Sequence, residues 1–575
     1  MRPLQRVRAY QLYPCQSLTP QEFSPQRRIR LVMRSALLWL AAAMLIIGAT
    51  GRSDAPVAVE THMLPMRDGV RLATDVYLPS GAPPYPVILI RTPYDKNALK
   101  PIGEDGARRG YAVVIQDTRG RFASEGANLP FEGDGWWENR ADGVDTVQWI
   151  ARQAWCNGKI GTWGGSALGI NQLMLAGAGA RPLTCQHITV AEPNLHQSLF
   201  PGGVFKKSLV EDWLRATKHA PNALAHWTRH PAYDAFWQAR DVNRRYQFVD
   251  APAVHIGGYY DIFAQGTIDA FTGYQTRGGR NARGKQKLLM GPWAHGVLQK
   301  RVGELEFPNA DQPPCTFHDP WRWFERYLQG VENGVDREPT VVYYVMGAVG
   351  EPNAPGNEWR TADRWPPLPT RATPLYLQSD RTLAFHKPIS GAPLTYTYDP
   401  QNPVPTVGGR ELSLPAGPRD QQRIESRPDV LVFTSAPLQQ PLEVIGRVKA
   451  VLHVASDAPD TDFIVRLCDV YPDGRSYTIA EGALRMRYRE SRSRERLMQA
   501  GQVYRVEVDL WTTAMVFNTG HRLRVHVTSS SAPGYDPNPN TGERFRASTR
   551  TRPARNTIYC DAQRPSHIVL PVVKR

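Results

Sequence analysis

The 575-residue sequence predicts an α/β protein with a mostly parallel sheet, an inserted helical segment and a C-terminal β jelly-roll domain. Three observations carry that expectation. Short apolar runs alternate with helix-patterned stretches through the N-terminal part, as in sheets covered by helices on both faces. One stretch, 194–250, breaks the alternation and is helical in spacing throughout. Beyond Gly330 helical periodicity fades, prolines multiply and apolar residues recur at every second position.

Taken in order, 57–79 reads as a hairpin turning at Asp68-Gly69, a strong two-residue turn signal. Buried strands are expected at 86–91, 111–116, 160–163, 188–190, 253–257 and 287–290. Val144, Val147, Ile150 and Ala151 share one helix face, and 171–180 is an Ala/Leu-rich helix. In the insertion, Leu209, Trp213 and Leu214, then Tyr233, Phe236 and Trp237, are helically spaced. Such an insertion would sit above the strand ends, where open α/β sheets bind ligands. A helix at 319–328 stops at Gly330. Alternating residues then mark strands, with Val444, Gly446, Val448, Ala450, Leu452 and Val454 on one face and Leu523, Val525 and Val527 on another. Several short strands with turn signals suggest a sandwich or jelly roll. The expected division is therefore a leader at 1–55, core at 56–193, helical cap at 194–250, core again at 251–335, and jelly roll at 336–575.

The net charge is +15, but residues 1–51 hold seven arginines and one glutamate, and so account for +6 of it. Elsewhere acids and bases intersperse without a basic stripe, which excludes a nucleic-acid partner as the first reading. The apolar run 36–47 is too short to span a bilayer comfortably and suits the h-region of a signal peptide at about 33–51, with Met33 as an alternative start. Cleavage after it would give an exported, periplasmic or secreted protein with no membrane span; an uncleaved anchor is the competing reading. Six scattered cysteines lack C-x-x-C spacing, and no His/Cys cluster suggests a metal.

The chemistry is concentrated in Gly161-Thr162-Trp163-Gly164-Gly165-Ser166-Ala167-Leu168-Gly169. A serine between a strand and a helix needs small neighbours, because the turn is crowded and strained. The helix N-terminus behind it offers amide donors to a developing oxyanion. The fit to G-x-S-x-G is imperfect, since 168 is Leu and the closing glycine is Gly169. Gly-Gly-Ser is also a common loop tripeptide, so the motif needs support from elsewhere. That support is a base and an orienting acid, each just after a strand and in the order Ser, Asp, His. Asp261 ends Gly257-Gly258-Tyr259-Tyr260-Asp261, and His295 lies in Gly291-Pro292-Trp293-Ala294-His295-Gly296. His255 inside a strand reads as core, and His318 before a helix as a cap neighbour. An oxyanion hole needs a second donor beside the Ala167 N–H. The Tyr94 hydroxyl, just after a strand, could reach it, although a half-buried loop aromatic is the plainer reading of Tyr94 taken alone.

With these pieces in place, the chain resembles the cocaine-esterase-like hydrolases, which group with the X-prolyl dipeptidyl-peptidases and α-amino-acid ester hydrolases. The likeness runs through Met66-Arg67-Asp68-Gly69-Val70, Arg91-Thr92-Pro93-Tyr94-Asp95-Lys96, Asp117-Thr118-Arg119-Gly120, the serine motif, the Asp261 and His295 loops, and Asp469-Val470-Tyr471-Pro472-Asp473-Gly474. It implies an α/β-hydrolase core with an inserted helical cap and a C-terminal β jelly-roll domain. It also implies Ser166 as nucleophile, Asp261 and His295 as its partners, and Tyr94 with Ala167 as oxyanion hole. Members often carry Tyr directly after the serine, and Ala167 implies a more open pocket wall. Asp117 and Arg119 are expected to form a structural ion pair. The reading is a serine hydrolase cleaving a small-molecule ester, or an activated amide, through an acyl-enzyme without a cofactor. An X-prolyl dipeptidyl-peptidase or amidase, and a non-catalytic glycan- or protein-binding protein, are the alternatives; homo-oligomer formation is left open.

Overall fold

A computed structural model describes residues 57–547 and 549–574; the signal-peptide reading of 33–51 lies outside them. Among the described residues no helix is long and apolar enough to cross a membrane.

The first sheet has ten strands in the order β1-β2-β4-β3-β5-β6-β7-β8-β11-β12. The first eight are β1 Ala58–Pro65, β2 Arg71–Leu78, β3 Tyr85–Thr92, β4 Ala112–Asp117, β5 Cys156–Gly165, β6 Cys185–Thr189, β7 Ala253–Gly258 and β8 Lys287–Gly291. The small hairpin β9 Arg301–Val302 and β10 Leu305–Glu306 stands apart. β11 Val341–Val345 and β12 Glu358–Ala362 complete the first sheet. Strands from β4 through β11 run parallel, and the antiparallel pairs lie at the two ends. The hairpin turn forms where expected, with Gly69 at φ +85°, a left-handed conformation that costs glycine little.

All six residues of β4 are buried, which is why the parallel strands read as nearly continuous apolar runs. Val87, Leu89, Val114 and Ile160 pack on one face with α2 (Asp142–Ala151) and α3 (Ala167–Gly177). On the other face, α1 (Lys100–Arg108) brings Gly103 against Tyr77 and Gly106 against Val113. The ring of Trp321, from a later helix, lies edge-on to Trp163 there.

The insertion folds as four short helices, α4 (Leu195–Leu199), α5 (Lys207–Ala216), α6 (Ala223–Thr228) and α7 (Ala235–Ala239), joined by 3-10 turns. Their apolar faces share a core rich in aromatics. Glu132, on a loop of the sheet domain, ties this cap down by accepting hydrogen bonds from His226 (2.9 Å) and Arg240 (2.9 Å). Burial alone would raise the Glu132 pKa, but His226 and Arg240 outweigh it and hold it at about 2, against an ordinary 4.5. This contribution is present above the ordinary value and is lost as acid titrates Glu132 from about pH 4.5 toward about 2. Glu132→Ala leaves Arg240 buried without this carboxylate and should cost about 3–5 kcal/mol at neutral pH, read by urea melts of both proteins. The difference between the two proteins should shrink below about pH 4; a constant difference down to pH 3 would contradict the pairing.

Helix α8 (Ala264–Arg277) follows β7, and α9 (Pro320–Phe324) passes into a π-helical turn that ends at Gly330 with φ +80°. An eleven-stranded sheet then runs from Thr370 to Val573 among the described residues. Its long strand Leu442–Ser456 pairs with Tyr504–Phe517 across a bulge at Val448/Lys449. This β region abuts both core and cap. The Tyr260 hydroxyl donates to Thr478 O (2.9 Å), and a Cβ at Gly202 of the cap would come 1.9 Å from Ala483 O.

Two expectations need correction. The first sheet does not end before residue 336, because β11 joins β8 in parallel and β12 follows it. Asp117 and Arg119 are not an ion pair. Arg119 turns toward Asp142 (2.6 Å) and Asp68 (2.8 Å), whereas Asp117 accepts the backbone N–H groups of Lys96 and Ala123. The physical reason is that β4 ends at Asp117 and the chain turns at Thr118, whose carbonyl accepts from Arg121 N (3.0 Å). The two side chains then leave in different directions.

Candidate active site

Ser166 stands between β5 and α3 with φ 56° and ψ −126°, a conformation rarely taken by non-glycine residues. The surrounding glycines are required by space. A Cβ at Gly164 would lie 2.4 Å from Leu168 Cβ, and Gly164 itself has φ +147°. A Cβ at Gly169 would lie 2.7 Å from Ala191 Cβ. Leu168 can therefore sit directly after Ala167, because the close helix-to-strand approach falls one residue later, at Gly169. Ser166 N donates to Thr189 O (2.9 Å), which fixes the turn against β6.

The acid and base loops are stitched together by the backbone. Tyr259 N donates to Gly291 O (3.0 Å) and Tyr260 N to Trp293 O (2.9 Å). Gly258 and Gly291 end the paired strands β7 and β8, and a Cβ on either would strike Trp293, at 2.1 and 2.3 Å. Two loops that follow neighbouring parallel strands are thus pressed side by side. They bring His295 Nδ1 to 2.6 Å from Asp261 Oδ2 and His295 Nε2 to 2.8 Å from Ser166 Oγ. With the proton on Nδ1, the imidazole donates to Asp261 and accepts from the serine hydroxyl, so both contacts are satisfied. Asp261 is fully buried, and its other oxygen accepts from Phe263 N (2.8 Å). The Phe263 ring packs edge-on against His295, with centroids 5.6 Å apart.

Ala167 is the first residue of α3, where backbone amides lack intrahelical acceptors. Tyr94, on the loop after β3, brings its hydroxyl close to Ser166. Burial raises the Tyr94 pKa against the opposing pull of Trp213 and Ser166, so the phenol keeps its proton. The loop itself is held by Tyr94 N to Thr92 Oγ1 (3.0 Å), Lys96 N to Asp117 Oδ1 (2.8 Å) and Arg121 Nε to Pro93 O (2.9 Å). Burial raises the Asp117 pKa to about 6, even though two backbone N–H groups bind it. All five residues singled out from the sequence therefore meet at one place, above the C-terminal ends of β3, β5, β7 and β8. His255 is buried inside β7, and His318 precedes α9, where Asp319 is the cap.

Two neighbours carried no signal in the sequence. Trp213 Nε1 donates to the Tyr94 hydroxyl (3.0 Å), and the buried Arg121 bridges the Tyr94 loop to the end of α5. Trp213 shows only helical core spacing. Arg121 lies one residue past the Asp117–Gly120 motif. Glu192, after β6, is a buried acid bonded by Ser198 Oγ; burial raises its pKa well above the ordinary carboxylate range.

Comparison with known proteins identifies the family. The model of the X-Pro dipeptidyl-peptidase (S15 family) matches residues 68–225 and 206–297, and that of the X-Pro dipeptidyl-peptidase C-terminal non-catalytic domain matches 333–569. The chain is 35% identical to the cocaine esterase of Rhodococcus sp. (strain MB1 Bresler), over 89% of this chain and 98% of that one. Among solved structures, an aminopeptidase from a marine-sediment Thaumarchaeota archaeon superposes with a TM-score of 0.76 at 25% identity, covering 92% of this chain and 100% of that one. An α-amino acid ester hydrolase gives 0.74 at 26% identity, covering 92% and 98%. The chain is a serine hydrolase with an α/β-hydrolase core, and it belongs to the X-Pro dipeptidyl-peptidase (S15) family, on the side of the cocaine-esterase-like enzymes.

Proposed function

We propose that the chain hydrolyses small-molecule carboxylic esters with uncharged acyl groups through an acyl-enzyme on Ser166. His295 takes the proton from Ser166 Oγ as the serine attacks the ester carbonyl, and returns it to the departing alcohol. Asp261 holds the imidazole in place and stabilises its cation. The carbonyl oxygen, now negative, is held by the Ala167 N–H and the Tyr94 hydroxyl. Water, activated by the same histidine, then releases the acid. The observation that carries this reading is the continuous Ser166–His295–Asp261 hydrogen-bond chain.

The acyl preference rests on the residues around the triad. After Asp261 come Ile262, Phe263 and Ala264, all apolar and buried. Glu211 and Asp212 of the cap are engaged elsewhere. Glu211 pairs with Arg546 (2.5 Å), and Asp212 takes Arg215 (2.8 Å) and Ser413 (2.7 Å). Burial pushes the Glu192 carboxyl well above the ordinary carboxylate range, which disfavours its charged form. An ammonium group there would lose hydration without an anion in return. Phenylacetyl and phenylglycyl esters of one alcohol, compared by kcat/KM at a pH where the amine is protonated, test this. The phenylacetyl ester should be favoured by at least ~10-fold, which is ~1.4 kcal/mol of an expected several; a preference for the phenylglycyl ester would refute the reading. Dipeptidyl-prolyl anilides, assayed alongside, test the X-prolyl peptidase alternative. The run 33–51 is read as a cleaved signal peptide that exports the enzyme; N-terminal sequencing of protein from its native host tests that reading.

A further inference from the structure

We infer that Trp213 is a positioning residue for the oxyanion hole, so that cap helix α5 takes part in catalysis as well as covering the site. The inference rests on the reading of Tyr94 as an oxyanion donor and extends it to a residue that touches neither substrate carbonyl nor nucleophile in its proposed role.

A tyrosine hydroxyl carries one proton and two lone pairs, and an indole nitrogen can only donate. The Trp213 Nε1–H points at Tyr94 Oη over 3.0 Å. Tyr94 must therefore accept from Trp213, which uses one lone pair and turns the hydroxyl proton away from the indole. Ser166 also acts on that hydroxyl. The proton is thereby aimed at the place where the oxyanion forms, before any substrate arrives. A free phenol would have to give up rotational freedom during the reaction; here the cap has already fixed it.

The geometry around both residues is built to hold this contact. The Trp213 ring stacks on Phe131 (5.9 Å, 5°) and on Trp227 (6.0 Å, 4°), which fixes the direction of its N–H. Trp213 O accepts from Thr217 Oγ1 (2.7 Å), tightening the end of α5. One buried guanidinium then links the two sides. Arg121 donates to Pro93 O, directly before Tyr94, and to Thr217 O and Lys218 O at the end of α5. The Tyr94 loop and the Trp213 helix are 119 residues apart in sequence, yet they cannot shift independently without breaking Arg121 contacts.

The test is a double-mutant cycle with Trp213→Phe and Tyr94→Phe, assayed on one uncharged aryl ester. Phe at 213 keeps an aromatic ring in the stack and removes the N–H. We expect Trp213→Phe to lower kcat about tenfold with KM little changed, less than the ~10²–10³ of deleting a donor outright. In the Tyr94→Phe background the same substitution should have no further effect, because the group it positions is gone. Multiplying losses in the double variant, or a loss confined to KM, would overturn the inference and make Trp213 a wall of the binding pocket. An arylboronic acid, which forms a tetrahedral adduct on an active serine, gives a second readout. Trp213→Phe should weaken its inhibition about as much as it lowers kcat while sparing inhibition by the product carboxylate; equal weakening of both would also overturn it. Failure of the underlying reading looks different: Tyr94→Phe alone would be silent, or Ser166→Ala would keep its turnover. Thermal melts of all variants separate misfolding from either result.

Discussion

Ser166→Ala should lower kcat by at least ~10³-fold and leave the protein folded, because members of a triad act as a unit and the remainder is what the oxyanion hole and binding supply alone. The structure makes this variant unusually clean. The serine hydroxyl bonds His295, and Ala removes only that hydroxyl. The strained φ of 56° remains, so stability should change little. Steady-state turnover with an aryl ester, with a thermal melt as the control for folding, reads the effect. Near-normal turnover by a well-folded variant would remove Ser166 from the mechanism.

Tyr94→Phe is the second large effect. It deletes one oxyanion donor and keeps the ring that fills the loop, and such deletions typically cost ~10²–10³ in kcat. KM should move little, because the donor acts on charge that develops in the transition state and not on the neutral ester. The variant also leaves Trp213 Nε1–H without its acceptor, which adds a modest loss of stability of about 1–3 kcal/mol. An unchanged kcat would mean that the hydroxyl faces away from the oxyanion.

Much of the frame was legible in the sequence, and the reasons are physical. Strands such as β3 and β4 are buried on both faces and so read as apolar runs, whatever their neighbours. The Ser166–His295–Asp261 hydrogen-bond chain was legible because each member follows closely on a strand, and parallel neighbouring strands deliver their loops to one edge. The departure from G-x-S-x-G was legible as a misfit, but not its cause, which is the approach of Gly169 to Ala191 across the fold. What stayed hidden depends on contacts between distant segments. Nothing in Val341-Val342-Tyr343-Tyr344-Val345 says whether it joins the first sheet or the second; its parallel register with β8 decides that. Arg119 and Asp117 are near in sequence and look like partners, yet Asp142 and Asp68 satisfy the arginine from elsewhere. The Trp213–Tyr94 bond was invisible for the same reason. A tryptophan at helical spacing reads as core, and half of that reading holds, since the ring does stack in the cap while its N–H serves the site.

The central claim is a covalent acyl-enzyme on Ser166, and the most direct test is to trap it. The enzyme is mixed with an excess of a p-nitrophenyl ester of an uncharged acid, quenched in acid during turnover, digested and analysed by mass spectrometry. The account predicts the mass of the acyl group on the peptide that contains Ser166, absent from Ser166→Ala and strongly reduced in His295→Gln. Acylation at another residue, or turnover with no acylated peptide at any quench time in a protein that burst kinetics show to accumulate an intermediate, would contradict it.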